Sequence, residues 1–358
     1  MHSVDRGERE DWRRRIRATI VGSLPKPGWL AEPGILYAPW RVRPEQLGEA
    51  HDDATRLCVI DQLAAGLDVI TDGEQRRRHY VWGFLDGIEG VDTENLAMKP
   101  TRGQRFKPMS PAARLIGEPI YAGSRLATSL RLLKQLTDRP VKATLPGPMT
   151  VVDSLLDTVG GRSEADLAMR FADLLNREAR ELVAAGASVV QFDEPCFNIY
   201  LAQAREWGIE ALKLAIAGIP AKTGVHICYG YGGSEVSYWK ASNRDWSHYE
   251  HSLPLVATTG VDQVSIETAA AKVDLGVLEV LRGKDVLLGL VDVGSERVET
   301  AAEVASGLRK ALAYVPAEKL HACTDCGLVL RSRPAAVGKM RALVGGAAIV
   351  SAEMDAGK

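Results

Sequence analysis

Eight short apolar segments, separated by stretches of helical character, most strongly constrain the fold of this chain. We predict that each is a β-strand, and they cover residues 18–22, 67–71, 141–145, 188–192, 222–227, 262–266, 286–291 and 319–323. Between them, apolar residues recur about every 3.6 positions, for example Leu167, Phe171, Leu174 and Leu182, which indicates helices with one buried face. Strands that alternate with helices form parallel sheets, so eight such units predict an α/β fold, the (β/α)8 TIM barrel.

Glycines support this alternation of helices and strands. Gly66, Gly186 and Gly260 each stand directly before or close to a predicted strand, where a glycine can adopt the left-handed conformation that ends a helix. An open, doubly wound sheet is the alternative, but no G-x-G-x-x-G motif follows the first strand. We therefore expect the barrel.

The spacing of the strands predicts an insertion. The second and third strands are separated by about 70 residues, which is enough for a helix and an inserted segment around the turn-rich stretch 99–111. Long loops at the carboxyl ends of barrel strands usually shape the active site. We expect residues 1–16 to form a flexible leader, because they are polar and of mixed charge, and residues 17–358 to form a single domain.

Charge and cysteine content narrow the class of protein. The formal net charge is −2 over 358 residues, so we expect neither a nucleic-acid partner nor a membrane partner, and a cytoplasmic location. Five cysteines is an odd number, and Cys323 and Cys326 form a C-x-x-C motif. This pattern favours metal binding or catalysis over a framework of disulfides.

The predicted strand ends carry residues that suit a metal site. The carboxyl ends of barrel strands open into one common mouth, so residues that are distant in sequence meet there. His226 and Cys228 are two positions apart on a strand and therefore face the same side. Zinc prefers about four nitrogen, sulfur or oxygen ligands in a tetrahedron. With Glu267 and one late cysteine, the pair therefore forms a candidate zinc site.

Two other interpretations of these residues stay open. His226 can be a hydrogen-bonded core histidine and Cys228 a small buried apolar residue, although this leaves the later cysteine pair unexplained. That pair can instead be a redox dithiol, for which a thioredoxin-like helix start is expected, or part of a zinc knuckle, for which the sequence has no second C-x-x-C.

Six motifs, in this order, resemble those of the catalytic barrel of cobalamin-independent methionine synthase. They are Ile20-Val21-Gly22-Ser23-Leu24-Pro25, Asp72-Gly73-Glu74, Gly147-Pro148-Met149-Thr150, Gln191-Phe192-Asp193-Glu194-Pro195, His226-Ile227-Cys228-Tyr229 and Asp325-Cys326-Gly327-Leu328. The resemblance runs from about residue 18 to about residue 330. The set of six is highly specific, whereas any one motif alone is weak.

The resemblance implies a zinc enzyme whose site residues can be named. The zinc ligands that it implies are His226, Cys228, Glu267 and Cys326. The residues that it implies for holding homocysteine through its amino and carboxylate groups are Ser23, Glu74 and Asp193. Glu267 and Asp193 are the predicted catalytic residues, and Cys323 is expected to be a neighbour of the metal site. The implied activity is zinc-dependent transfer of a methyl group to the thiol of homocysteine, giving methionine.

Departures from the family pattern concern the methyl donor. No aromatic residue follows Thr150 where the family has a tryptophan that stacks on folate, Ile199 replaces an acidic residue, and the stretch Asp292-Val293-Gly294-Ser295 lacks a proton-donating histidine. The chain also has no room for the second barrel of the full-length enzymes. This pattern resembles the short, core-type methionine synthases that work without folate, and a methylated corrinoid protein is a candidate donor.

Two alternative functions stay open. One is zinc-dependent addition of a thiol to an epoxide, as in lyases that use coenzyme M; Glu74 and Asp193 argue against it, while Arg76, Arg77 and Arg78 could supply the positive charge that a sulfonate needs. The other is an accessory subunit that methylates nothing without a partner. A methyl-transfer assay separates these possibilities.

Overall fold

Parallel strands form the central sheet in the computed structural model, which describes residues 16–356. The strands of this sheet are β1 (Arg17–Ala18), β4 (Lys142–Pro146), β6 (Val189–Asp193), β7 (Lys222–Ile227), β8 (Gln263–Ile266), β9 (Asp285–Gly289) and β10 (Leu320–Cys323). They are hydrogen-bonded in the order β1-β10-β9-β8-β7-β6-β4. The predicted leader lies outside the described residues except for Ile16, whose side chain is buried.

An extended segment without regular strand structure lies between the two edge strands. Here Ile70 forms a parallel bridge with Val141. The Asp68 N–H donates to the Ala18 carbonyl at 2.9 Å on one side, and the Lys142 N–H donates to the Ile70 carbonyl at 2.9 Å on the other. This segment is the second predicted strand, so the sheet closes as a TIM barrel and the predicted fold is confirmed.

The second predicted strand is reduced to one isolated bridge, because a side chain replaces part of its backbone pairing. The Thr71 N–H donates to Gln62 Oε1 at 2.9 Å, and Gln62 Nε2 donates to the Thr71 carbonyl at 2.8 Å. A glutamine amide thus satisfies both backbone groups, and Thr71 needs no neighbouring strand. The first strand is also short, with two residues in the sheet.

The predicted insertion between the second and third barrel strands is confirmed. It contains β2 (Ile88–Lys99) and β3 (Ser110–Tyr121), which form an antiparallel hairpin, and β5 (Leu155–Asp157) pairs with β3 in parallel. The sequence does not predict these long strands, because within β2 only Ile88 and Thr93 are buried and the apolar alternation is weak. The turn-rich stretch forms the connection between the two hairpin strands.

Helices surround the barrel. They are α1 (Pro44–Ala65), α2 (Tyr80–Leu85), α3 (Ala127–Leu136), α4 (Pro148–Asp153), α5 (Glu164–Ala184), α6 (Leu201–Gln203), α7 (Ile209–Ile216), α8 (Ser234–Ser242), α9 (His248–Ala257), α10 (Ala301–Ala311) and α11 (Arg333–Ala356). In α5, a capping box between Ser163 and Asp166 begins the helix, and the predicted apolar stripe that includes Leu167 and Phe171 is buried. Short 3₁₀ helices lie at Arg102–Gln104, Pro195–Asn198, Leu275–Leu281 and Ala317–Lys319, and a π-helical turn at Ala204–Gly208.

One helix of the described chain, α11, is long and apolar enough by length and composition to cross a membrane. Half of its most apolar stretch is buried inside the fold. Lys339, in the first third of the helix, is fully buried and forms an ion pair with Glu299 at 2.9 Å. A buried and paired lysine on this helix is typical of a helix that packs in a core.

An ionic cluster closes the amino-terminal end of the barrel, opposite the mouth. Asp285, at the start of β9, accepts hydrogen bonds from Lys222 at 2.7 Å and Lys319 at 3.1 Å, and His321 Nε2 lies 3.9 Å away. Burial alone would raise the pKa of Asp285, but the interactions with His321, Lys222 and Lys319 outweigh burial and lower this pKa. The cluster therefore stabilises the folded state at neutral pH, and this contribution is lost as the pH falls below the usual carboxyl range.

Replacement of Asp285 by alanine is expected to lower the free energy of unfolding by about 2 kcal/mol, because the two lysines would lose a buried partner but keep contact with solvent. Urea denaturation at pH 7 measures this change. Lys213→Ala, which removes an exposed ion pair with Glu210, is the control and should change stability by less than about 0.5 kcal/mol. Equal effects of the two variants would contradict the role of the cluster.

Candidate active site

Three of the four predicted metal ligands come together at the mouth of the barrel. His226 lies on β7, Cys228 follows that strand, and Cys326 follows β10. Their ligand atoms all lie within 4.8 Å of one another, and the two sulfurs are 3.5 Å apart. All three side chains are buried. The arrangement therefore offers one nitrogen and two sulfurs to one ion.

Hydrogen bonds orient the His226 ring and join the two cysteine sulfurs. Nδ1 of His226 lies 2.9 Å from the Ser265 hydroxyl, whereas Nε2 is buried and has no hydrogen-bond partner in the described part of the chain. The hydrogen bond between the two sulfurs lowers the pKa of Cys228 well below the usual thiol value and raises the pKa of Cys326. An orphaned imidazole nitrogen beside a thiolate fits a zinc ion, for which such ligands are typical.

Glu267 lies beside this group of ligands, at the end of β8, and is fully buried. Its Oε1 forms an ion pair with Lys240 Nζ at 2.6 Å, and its Oε2 accepts the N–H of Tyr229 at 3.0 Å. Burial raises the pKa of Glu267 to about 8, against the effect of Lys240. The carboxylate is thus held next to the residue that follows Cys228, and its role as the fourth ligand stays a prediction.

Cys323 has a different environment from Cys326. It is fully buried and packs with Val21 and Leu287 in the interior of the barrel. Burial raises the pKa of its thiol. Cys323 does not belong to the group of converging ligands that the described residues form. It is a core residue that lies near the site.

The predicted substrate residues and the converging ligands line one cavity of about 160 Å³. The predicted substrate residues among them are Ser23, Glu74 and Asp193. The Ser23 hydroxyl is buried and has no hydrogen-bond partner among residues 16–356. Gly327 leaves the space in front of this hydroxyl open, because a Cβ at that position would lie 2.0 Å from Ser23 Oγ. The hydroxyl is therefore free to bind a polar group that enters the cavity.

Glu74 is held in the cavity by an unusual backbone conformation. Its φ is 58°, in the left-handed region, and its N–H donates to Asp72 Oδ1 at 3.0 Å. Its Oε1 accepts a hydrogen bond from the Thr144 hydroxyl at 3.0 Å and lies 3.7 Å from Arg77. Burial raises the pKa of Glu74, while Arg77 opposes this effect. Backbone strain at a buried carboxyl group is typical of functional sites.

A chain of hydrogen bonds holds Asp193. Lys142 Nζ donates to Gln191 Oε1 at 2.9 Å, and Gln191 Nε2 donates to Asp193 Oδ1 at 2.7 Å. Burial raises the pKa of Asp193 to about 7; His226 opposes this shift and the nearby Glu74 adds to it. Two buried carboxyl groups in one cavity suit a ligand with an ammonium group, because its charge would stabilise both as carboxylates.

Lys142 is expected to position Asp193 rather than to contact the ligand. The Lys142→Met variant would free the amide of Gln191, and we expect the KM for homocysteine to rise about 3-fold to 10-fold with zinc content unchanged, in line with the loss of one net hydrogen bond. Methionine fills the space but leaves the Ile20 carbonyl and Gln191 Oε1 without their buried donor, so we also expect a loss of stability of about 1 to 3 kcal/mol. An unchanged KM would show that Gln191 holds Asp193 without Lys142.

The insertion forms the outer wall of the cavity. Among the cavity residues, Arg102, Phe106 and Lys107 come from the hairpin connection. Arg102 has a φ of 53° and is held by an ion pair with Asp153. Its guanidinium also donates to the Tyr80 hydroxyl at 2.9 Å. The insertion thus contributes a cationic and aromatic rim to the cavity.

Sequence reasoning missed the residues that support the site. They are Lys142, Gln191, Lys240 and Asp325. Lys142 could have been found, because it is a charged residue within an otherwise mostly apolar predicted strand. Asp325 lies within one of the quoted motifs, and it accepts the N–H groups of residues 268, 269 and 270 at 2.7 to 3.0 Å, which holds the loop after Glu267. No local pattern marks Lys240.

Comparisons with known proteins agree with this geometry. The model of the family described as cobalamin-independent synthase, catalytic domain, matches residues 17–348. Methionine synthase of Saccharolobus solfataricus is 32% identical over 346 residues, which cover 95% of this chain and 96% of that protein.

Solved structures are also similar. A B12-independent methionine synthase from Shewanella sp. W3-18-1, in complex with selenomethionine, has a TM-score of 0.92 and 40% identity, and covers 96% of this chain and 99% of that chain. A putative vitamin-B12 independent methionine synthase from Listeria monocytogenes, with a TM-score of 0.68 and 20% identity, supports the fold alone. These matches confirm the resemblance to the short form of the enzyme, and they show that this chain belongs to the cobalamin-independent methionine synthase family.

Proposed function

We propose that this protein transfers a methyl group to the thiol of homocysteine with a zinc ion at His226, Cys228, Glu267 and Cys326. Family membership supports methyl transfer to homocysteine. The observation that carries the proposal is the single cavity in which three predicted ligands converge beside Ser23, Glu74 and Asp193. The bound selenomethionine in the Shewanella relative supports a pocket for an amino acid with a sulfur-like atom in its side chain.

The residues of the chain have separate tasks in this reaction. Glu74 and Asp193 would bind the ammonium group of homocysteine, and the Ser23 hydroxyl would donate to its carboxylate. This orientation directs the thiol towards the sulfurs of Cys228 and Cys326. Zinc, when bound, would stabilise the homocysteine sulfur as a thiolate near neutral pH, and two cysteine ligands would keep that sulfur nucleophilic.

The methyl donor would enter from the rim that the insertion builds. We propose a donor other than folate, because no aromatic residue follows Thr150 and because Ile199, which replaces an acidic residue of the family pattern, lines the cavity. The departures from the family pattern make a methylated corrinoid protein a candidate donor. The comparisons with known proteins do not themselves support such a partner. We also propose that residues 17–358 form a single catalytic domain and that the protein is cytoplasmic.

The structure does not favour the epoxide-adding alternative. Arg77 donates to Thr144 and pairs with Asp72, and Arg76 and Arg78 pair with Asp52 and Glu94. A sulfonate would need a cation that is free to face it, and these three guanidinium groups already have acidic partners. The carboxyl groups of Glu74 and Asp193 line the cavity beside the converging ligands, and the cations that line it, Arg102 and Lys107, belong to the outer rim.

The experiment is a methyl-transfer assay with zinc-loaded protein. Homocysteine and coenzyme M are compared as acceptors, each with methylcobalamin, a methylated corrinoid protein or methyltetrahydrofolate as donor. We expect methionine from homocysteine with a corrinoid donor, little product with methyltetrahydrofolate, and no product after chelation of the metal. Alkylation of coenzyme M without methylation of homocysteine would contradict the proposal, and methionine formed from free methylcobalamin would exclude the accessory-subunit alternative.

A further inference from the structure

Lys240 connects a surface helix to the buried carboxylate of Glu267. It lies on α8, a helix with no buried residue, yet its own side chain is only 8% exposed. The Nζ atom is 2.6 Å from Glu267 Oε1, and Glu267 is fully buried. A second contact joins Nζ to the Gly230 carbonyl at 3.4 Å. The lysine is therefore directed inward from the helix to the site.

Glu267 is placed so that its carboxylate can change partners without a large movement of the chain. Its backbone N–H donates to the Tyr249 hydroxyl at 3.0 Å, and the same hydroxyl donates to the Ile227 carbonyl at 2.6 Å. These bonds fix the end of β8 against the end of β7. Only the side chain of Glu267 must then rotate between Lys240 and an ion held by His226 and the two cysteines.

We propose that Lys240 is the counter-ion that holds the carboxylate of Glu267 when the homocysteine sulfur replaces it on zinc. This inference rests on the proposed function and adds a positioning residue to it. Homocysteine would enter as the thiol and would lose its proton to solvent as its sulfur joins zinc, and the contact between zinc and the Glu267 carboxylate would be given up in exchange. A carboxylate that left the metal inside a buried site would otherwise lack a counter-charge, which is costly.

The position of Lys240 depends on the element that covers the cavity. Glu235 and Val236, at the start of α8, line the cavity. Trp239, next to Lys240, stacks on Tyr229 with ring centroids 5.9 Å apart and contacts the edge of Phe106 at 5.6 Å. Lys240 can therefore reach Glu267 because α8 lies over the cavity, held there by the contacts of Trp239.

The test compares Lys240→Met with the wild type and with Lys272→Met, in which an exposed lysine in the loop after Glu267 loses the same charge. Zinc affinity is measured by competition with a chelator, and homocysteine binding to the zinc-loaded protein by calorimetry. We expect Lys240→Met to bind zinc at least as tightly as the wild type, because Glu267 loses its competing partner. Its affinity for homocysteine should fall at least about tenfold.

The other outcomes are also decisive. Lys240→Arg keeps the charge and should recover part of the homocysteine affinity, whereas Lys272→Met should resemble the wild type. Wild-type homocysteine affinity in Lys240→Met would overturn the proposal, and so would a parallel loss of zinc affinity, since the lysine would then only help to build the site. A wild-type protein that binds zinc but no homocysteine would instead contradict the proposed function itself.

Discussion

Replacement of Cys326 by serine is expected to remove zinc from the protein and to lower methyl transfer to homocysteine at least about 100-fold. Cys326 supplies one of the two sulfurs that lie 3.5 Å apart beside the free Nε2 of His226. Serine is a much poorer zinc ligand than a thiolate, and only His226, Cys228 and Glu267 of the four proposed ligands would remain, with a single sulfur among them. Zinc content after dialysis and the initial rate of methionine formation measure the effect.

Cys323→Ser is the matched control for this prediction. The two cysteines are three residues apart, but Cys323 packs in the barrel interior with Val21 and Leu287. Serine there would bury a hydroxyl in an apolar environment, so we expect a loss of stability of about 1 to 3 kcal/mol with zinc retained. If Cys323→Ser lost zinc while Cys326→Ser kept it, the assignment of the two cysteines would be reversed.

Neutralising the carboxyl groups of the cavity is expected to affect homocysteine more than zinc. For Asp193→Asn and for Glu74→Gln, we expect the KM for homocysteine to rise about 10-fold to 100-fold, because a charge-assisted hydrogen bond to an ammonium group contributes roughly 1.5 to 3 kcal/mol. Neither residue belongs to the group of converging ligands, so the zinc content should be unchanged. Steady-state kinetics and metal analysis of the same preparations measure both quantities.

Asp292→Asn is the control for these variants. Asp292 follows β9, but it does not line the cavity, and its Oδ1 accepts the N–H of Gly294 at 2.7 Å. The substitution should therefore leave the KM for homocysteine within about twofold of the wild-type value. A KM that is unchanged in Asp193→Asn and Glu74→Gln, or equal effects in all three variants, would contradict the assignment of the ammonium-binding pair.

The barrel could be predicted from the sequence because its evidence is local. Strand segments such as 188–192 and 222–227 are short apolar runs, and the burial of every residue in β6 repeats this pattern in the structure. Segment 67–71 has the same apolar character, yet the amide of Gln62 takes over part of its pairing. The choice between a neighbouring strand and a side-chain partner depends on tertiary contacts, which a single-sequence pattern does not contain.

Part of the site could be predicted from the sequence, because the predicted fold determines where strand ends lie. Side chains at strand ends, such as His226 and Asp193, follow from the barrel itself, because the fold brings strand ends together. Lys240 reaches Glu267 from a helix that shares no pattern with the strands, and Arg102 reaches the cavity from the hairpin connection. Such contacts come from loops and insertions, whose direction is set by packing rather than by local sequence.

Zinc X-ray absorption spectroscopy of the metal-loaded protein, with and without homocysteine, tests the central claim most directly. The predicted ligands include the two sulfurs of Cys228 and Cys326, so the spectrum of the protein alone should show two sulfur neighbours around zinc. Addition of homocysteine should raise this number to three as the substrate sulfur joins the metal. Two sulfur neighbours in both spectra, under conditions where homocysteine is methylated, would contradict zinc activation of the thiol.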